Sequence, residues 1–153
     1  EARACKKRYE MFAKFKGGVT KWGVNKPFPL SEVLESNGLQ DALWALRCCQ
    51  PIEERDRIAR TFACDCAERV LPLFEKEYPQ DKRPRQAIEI ARKYINGLEN
   101  QIFTENLGAA GWLTEAAWAT ARVTWATSRV TLAARAAEKE WQTQHFKELL
   151  NER

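Results

Sequence analysis

No proline interrupts the chain between Thr104 and Leu150, and Ala, Trp and Arg dominate that stretch. Nothing else in the sequence limits the fold as strongly, because a long run of good helix formers without a proline has no built-in stop. One apolar seam follows Trp112, Ala116, Ala119, Val123, Ala126, Val130, Ala133 and Ala137, at spacings of three and four. A second seam runs beside it through Trp118, Ala121, Trp125, Ser128 and Leu132. Two adjacent seams form a wide apolar face, so the segment is expected at the centre of a bundle, touched from two sides. The polar stripe falls to Glu115, Arg122 and Arg129. As one helix the 47 residues would extend about 70 Å. A domain of this length has a radius of gyration near roughly 15 Å. Breaks are therefore expected, first at Gly108 and Gly111 and again near Glu138–Trp141.

The rest of the chain also has helical spacing. Residues 2–15 read as a basic amphipathic helix with Tyr9, Phe12, Ala13 and Phe15 on its apolar side, stopped by Gly17 and Gly18. Residues 16–30 read as an irregular basic loop, in which Gly18–Val24 is the one strand-like run. Ser31, followed by Glu32 and Glu35, reads as an N-cap, and Asp41 as the cap of the helix after it. Pro51 opens a helix whose apolar side is Ile52, Ile58, Ala59, Phe62, Ala63, Cys66, Val70 and Leu73. Pro72 predicts a kink or a restart within it, since proline lacks the N–H that the helix needs. Pro84 begins another helix through Ala87, Ile88, Ala91, Tyr94 and Ile95, ended by Gly97, and Thr104-Glu105 reads as a further cap. The sequence thus predicts an all-α fold, a compact multi-helix bundle around a long Ala/Trp-rich C-terminal helix. The expected division is a basic helix and loop over 1–29, packed on a helical domain over 30–153.

Composition narrows the function classes. At 153 residues, 44% hydrophobic and 30% charged, the chain reads as one soluble globular domain, neither disordered nor membrane-embedded. It has no apolar run of about 18 residues that would span a bilayer. The charged first residues lack an apolar core, which reads as the absence of a signal peptide. Five cysteines, Cys5, Cys48, Cys49, Cys64 and Cys66, make a poor disulfide framework and point to a reducing cytoplasm. On a helix Cys64 and Cys66 diverge by about 200° and cannot share an ion. No metal or cofactor is expected, and the thiols read as buried structural residues. His145 is the single histidine, so a Ser-His or Cys-His catalytic pair would have to use it. No phosphate-binding glycine motif is present. The reading is a non-enzyme.

Charge is uneven. Residues 1–30 carry Arg3, Lys6, Lys7, Arg8, Lys14, Lys16, Lys21 and Lys26 against Glu1 and Glu10, which accounts for the whole positive excess. Lys6, Lys7, Lys14, Lys16, Lys21, Trp22 and Lys26 are therefore the candidate partner-binding residues. The partner would be an acidic protein or nucleic acid. The plainer reading is a solvated basic face. A second cluster, Asp65, Glu68 and Arg69 on one helix with Arg83 and Arg85 at the start of the next, reads as a structural set of ion pairs in which Arg83 reaches Asp65 or Glu68. The alternative is an arginine pair held out for a carboxylate or phosphate.

The stretches Leu30–Arg47, Phe62–Glu75, Arg83–Glu89 and Glu140–Thr143, with the Ala/Trp-rich helix, resemble the immunity proteins of bacterial polymorphic toxin systems. Relatives also occur in phage and prophage genomes. The resemblance covers about residues 30–150. It implies an all-helical cytoplasmic protein that binds and blocks a protein target, without a cofactor. A phage-borne relative would have little use for immunity to a contact toxin and would serve as an anti-defence inhibitor, for example an anti-CRISPR. The basic N-terminal segment argues against mimicry of nucleic acid, because a mimic has to be acidic. A nucleic-acid-binding module using that segment is the reading from a different class. The wide apolar face of the long helix would close a homodimer as readily as it fills a monomer core.

Overall fold

The computed structural model describes residues 5–23, 26–97 and 132–151. Among the described residues every regular element is an α-helix, as the sequence predicts. Seven follow in order: α1 (Lys6–Phe15), α2 (Val19–Trp22), α3 (Leu30–Asn37), α4 (Leu39–Leu46), α5 (Ile52–Glu77), α6 (Arg83–Ile95) and α7 (Leu132–Asn151). The Thr104-Glu105 cap, the break at Gly108 and Gly111, the stripe Glu115, Arg122 and Arg129, and both seams as far as Val130 lie outside the described residues. The chain forms two compact units. One comprises residues 1–59 with 139–153, the other residues 60–138.

In the first unit, α1 packs on α3 and α3 on α4. Phe12 and Ala13 are the buried residues of α1. Gly17 and Gly18 end the helix with φ of 80° and 96°, a conformation that residues with a Cβ seldom adopt. The loop expected over 16–30 contains the single turn of α2. Pro29 is extended, with φ −72° and ψ 146°, and α3 starts directly after it. Ser31 therefore sits inside the first turn and is not the cap. Gly38, at φ 85°, lets α4 begin at Leu39 with no further linker. Asp41 lies within α4, where it accepts from Asn37 Nδ2 at 2.8 Å in place of the expected capping role. The buried set of this unit includes Leu34, Ala42, Leu46 and Ile58, with Phe146, Leu149 and Leu150 from α7.

α5 follows Pro51, whose carbonyl accepts from the Arg55 N–H at 3.1 Å. It continues through Pro72 to Glu77 without the expected restart. Pro72 and Glu68, the residue whose carbonyl loses its helical donor, are both exposed. An interior proline costs about 3 kcal/mol, and burial of the neighbouring Leu71, 6% exposed, works against that cost. α7 likewise runs unbroken across 138–141, where a second break was expected. Residues 132–151 contain neither Gly nor Pro, and nothing local terminates the helix.

Within the second unit side-chain contacts join α5 to α6. The Arg60 guanidinium lies 4.6 Å from the centre of the Tyr94 ring. Arg92 reaches Asp65 and Glu68, and Arg85 reaches Glu75. Partners that advance along α5 retreat along α6, so Arg60–Glu77 and α6 are antiparallel. Pro84 stands in the first turn of α6, as read from the sequence. The apolar side of α5 needs correction. Ile58, Phe62 and Cys66 are buried, but Ile52 and Leu73 are 48% and 55% exposed. Cys64 and Leu71 are buried in their stead. Cys64 lies in the field of Arg92, on the side that meets α6. Cys66 lies in the field of Glu138 and Arg69, and Arg69 Nε donates to Glu138 of α7 at 2.7 Å. Two neighbours on different sides bury two faces of α5, which a single apolar stripe does not anticipate.

Phe146 has no exposed surface, and Phe146→Ala is expected to cost about 3–5 kcal/mol. Urea unfolding followed by far-UV circular dichroism checks this through a lower midpoint.

Candidate functional site

Two groups of residues combine charge with defined geometry. The first is the surface formed by residues 5–23 and 26–28. The backbone orientation of α1 is fixed from its buried side, where Phe12 is 6% exposed. The Phe12 ring lies 4.6 Å from Phe28 and 6.4 Å from Phe15, centre to centre. Asn37 Nδ2 donates to the Arg8 carbonyl at 2.9 Å. Arg8 Nε stands 3.5 Å from Asp41 Oδ2. Lys16 Nζ donates to Glu32 Oε2 at 2.6 Å, with both side chains largely covered. Arg8 and Lys16 thus tie α1 to α4 and α3.

The other basic residues of this segment face solvent. Lys6 stands 4.0 Å from Glu10 with its side chain 91% exposed. Lys7, Lys14, Lys21 and Lys26 are exposed, with no ion-pair partner among the described residues. Trp22 closes α2. Apolar side chains are exposed alongside them. Tyr9, Met11, Phe15, Val19 and Phe28 lie between 37% and 44% exposed. A concentration of partly exposed large apolar residues within one charged segment is the ordinary composition of an interaction surface. The sequence singled out the lysines. It placed Tyr9 and Phe15 on the apolar side of the helix, whereas both remain partly open.

The second group lies in the unit of residues 60–138. Glu68, Leu71, Pro72, Arg85, Ile88 and Glu89 line an open hollow of about 170 Å³. Small-molecule sites usually enclose roughly 300–1,000 Å³, so this hollow suits a single side chain. Arg92 Nε donates to Glu68 Oε1 at 3.0 Å and its Nη2 to Glu68 Oε2 at 2.7 Å. The same Nη2 donates to Asp65 Oδ1. Those bonds raise the already high pKa of Arg92, Glu68 contributing most. Arg85 donates from Nε and Nη2 to the two oxygens of Glu75, each at 2.7 Å. This holds the Glu75 carboxyl below its usual range.

Asp65 and Glu68 are thus held by Arg92, where the sequence reading chose Arg83. Arg83 clasps Asp81 through Nε at 2.9 Å and Nη2 at 2.6 Å, and its backbone N–H meets the same carboxylate at 3.1 Å. These bonds hold Asp81 down at about 2. The signal for Arg92 was in the sequence. In an antiparallel pair of helices with its turn around Gln80, residues equally far from Gln80 face one another. Glu68 and Arg92 are each twelve residues from it, and Glu75 and Arg85 are each five.

Cys64 and Cys66 are buried thiols, as expected, while Cys5 and Cys48 are exposed. Loss of solvent is the main cause that pushes both buried thiols up, Cys66 to about 12. His145 stacks on Trp141 at 5.0 Å between ring centres, with Nδ1 3.8 Å from Glu148. No cluster of three or more metal-ligating side chains occurs among the described residues. None of their helices is long and apolar enough to cross a membrane.

Replacing Arg92 with Gln leaves two carboxylates one turn apart without their cation. The expected loss of stability is about 1–3 kcal/mol, between values for exposed and fully buried pairs. Urea unfolding at low and high salt checks it. Cys66 gives a pH signature. Its folded pKa lies above its unfolded value of 9.0, so its contribution is complete below pH 9 and disappears as pH rises toward 12. In that window the unfolded chain releases the proton first, and stability falls. Cys66→Ala is expected to flatten the decline in urea midpoints between pH 8.5 and pH 10.5, relative to the parent.

No curated protein and no solved structure matches the chain. A family profile described as "Imm-5 like putative immunity protein" matches residues 50–148. The match begins after α4, takes in α5 and α6 with their ion-pair register, and ends inside α7. It spans more than half of the chain, and the protein belongs to the Imm-5 like family of immunity proteins.

Proposed function

We propose that this chain is an inhibitory binding protein of the bacterial cytoplasm that neutralises a toxin or effector by direct protein–protein contact. It carries out no chemistry of its own and takes no cofactor. Family membership supports an immunity role. The observation that carries contact as the means is the surface of residues 5–23 and 26–28, where solvated lysines border partly exposed Met and Phe side chains. Its contact residues are Lys6, Lys7, Lys14, Lys21, Trp22 and Lys26; Lys16, expected among them from the sequence, is largely covered and held by Glu32. Apolar anchors would supply most of the affinity, and the lysines would steer the encounter. Asp65, Glu68, Arg83 and Arg85 serve structure. The same physics would serve a phage-encoded anti-defence inhibitor, with the identity of the target as the difference.

The positive charge of the segment also suits nucleic acid, for which affinity falls steeply with salt. One experiment separates the readings. The purified protein captures partners from lysates of the source cell, with and without phage infection, after nuclease treatment. The captured protein is then assayed with and without the chain. A single nuclease-resistant partner, inhibited at stoichiometric ratio, is the expected result. Changing Lys6, Lys7, Lys14 and Lys21 together to Glu is expected to weaken inhibition by about tenfold or more. Recovery of nucleic acid alone, lost with nuclease or salt, would overturn the proposal.

A further inference from the structure

The partner of the α1 surface can be stated more closely. Resting on the inhibitory reading above, we propose that α1 presents a docking strip for an acidic amphipathic helix of the target. Its lysines would meet carboxylates spaced by two turns, and Met11 and Phe15 an apolar side chain between them.

The strip follows from the geometry of the helix. Phe12 and Ala13 fix the buried side of α1. Lys7 and Lys14 are seven residues apart, which returns them to nearly the same line on the opposite side. They are separated by about 10.5 Å along the axis. Met11 and Phe15, four apart, follow the adjacent line. They are 39% and 44% exposed. Phe15 is not free to collapse inward, because Phe12 already fills the buried position and packs on Phe28 at 4.6 Å. An aromatic ring held partly exposed by a packed neighbour is a preorganised anchor. Met11 is adaptable and suits contact with an imperfectly matched apolar surface.

Charge complementarity decides the sign of the partner. Arg8 and Lys16 are neutralised by Asp41 and Glu32. The outward lysines Lys7 and Lys14 have no counter-ion among the described residues, and their line carries a net positive charge. A second helix with acids seven apart repeats the same 10.5 Å or so and can pair with both lysines at once. An apolar residue midway between those acids falls against Met11 and Phe15. Nucleic acid fits less well, because the apolar line would gain nothing from phosphates.

The test uses the full chain and a fluorescein-labelled designed helical peptide with Glu at two positions seven apart and Leu midway. Controls are the same peptide with Lys in place of Glu, and a 20-base-pair DNA duplex. Fluorescence anisotropy at 50 mM and 200 mM salt reads the affinities. The acidic peptide is expected to bind at least about tenfold more tightly than its Lys counterpart. The double variant K7E/K14E is expected to invert that preference, and Phe15→Ala to weaken binding about tenfold with an unchanged circular dichroism melt. Equal affinity of parent and K7E/K14E for the acidic peptide would overturn the strip. So would tighter binding of the duplex, with a steep salt dependence. A protein that is captured from nuclease-treated lysate, inhibited by the chain and retained by K7E/K14E would overturn the strip but leave the inhibitory reading standing. Preference for the duplex without any inhibited protein would overturn both.

Discussion

Arg92 reaches from α6 to two carboxylates one helical turn apart on α5, and the arrangement of that unit depends on this contact. A guanidinium offers donors in a rigid planar fork, so Glu68 takes two bonds and Asp65 a third. A lysine would hold the same charges without fixing their angle. The pair Arg85–Glu75 and the ring contact Arg60–Tyr94 repeat the constraint on either side. A helix pair can slide by one turn at small apolar cost when its floor is Leu, Ile and Ala. Arg92–Glu68 and Arg85–Glu75 lie in one register, so such a slip would part both pairs at once.

The first unit spends its charge differently. Arg8 and Lys16 hold α1 in place, while Lys7 and Lys14 are left to solvent. Residue type does not separate these roles, since all four are cations on one short helix. What separates them is which side of the helix Phe12 buries. Once Phe12 packs on Phe28, the positions near its line meet α3 and α4, and those opposite meet water. The same packing leaves Phe15 and Met11 partly open.

Much of the fold was legible. Pro51, Pro84, Gly17, Gly38 and Gly97 mark where helices begin or end, because the backbone restrictions of proline and the positive φ of glycine act locally. The errors have several sources. Ser31 and Asp41 have good capping side chains, but Pro29 and Gly38 set the backbone a residue or two earlier. Pro72 looked like a break, yet tertiary burial beside it carried the helix through. A second break near Glu138–Trp141 was inferred from the size of a domain, and no residue there enforces one. Arg83 was read as the partner of Asp65 or Glu68 because it precedes Pro84 on a rigid connection, whereas facing residues in an antiparallel pair are found by counting outward from the turn.

The sequence by itself determined the secondary structure class, the clustering of positive charge before residue 30, and the family over residues 50–148. Each of these depends on local propensity, on summed charge or on the order of residues, none of which needs a partner in space. Tertiary structure decided which carboxylate each arginine holds, which of the lysines remain in solvent, and that α5 buries Cys64 on one side and Cys66 on another. Those outcomes depend on which helix lies against which face. A helical repeat gives the faces of a helix but not its neighbours, and the neighbours are chosen only when the buried side chains pack together.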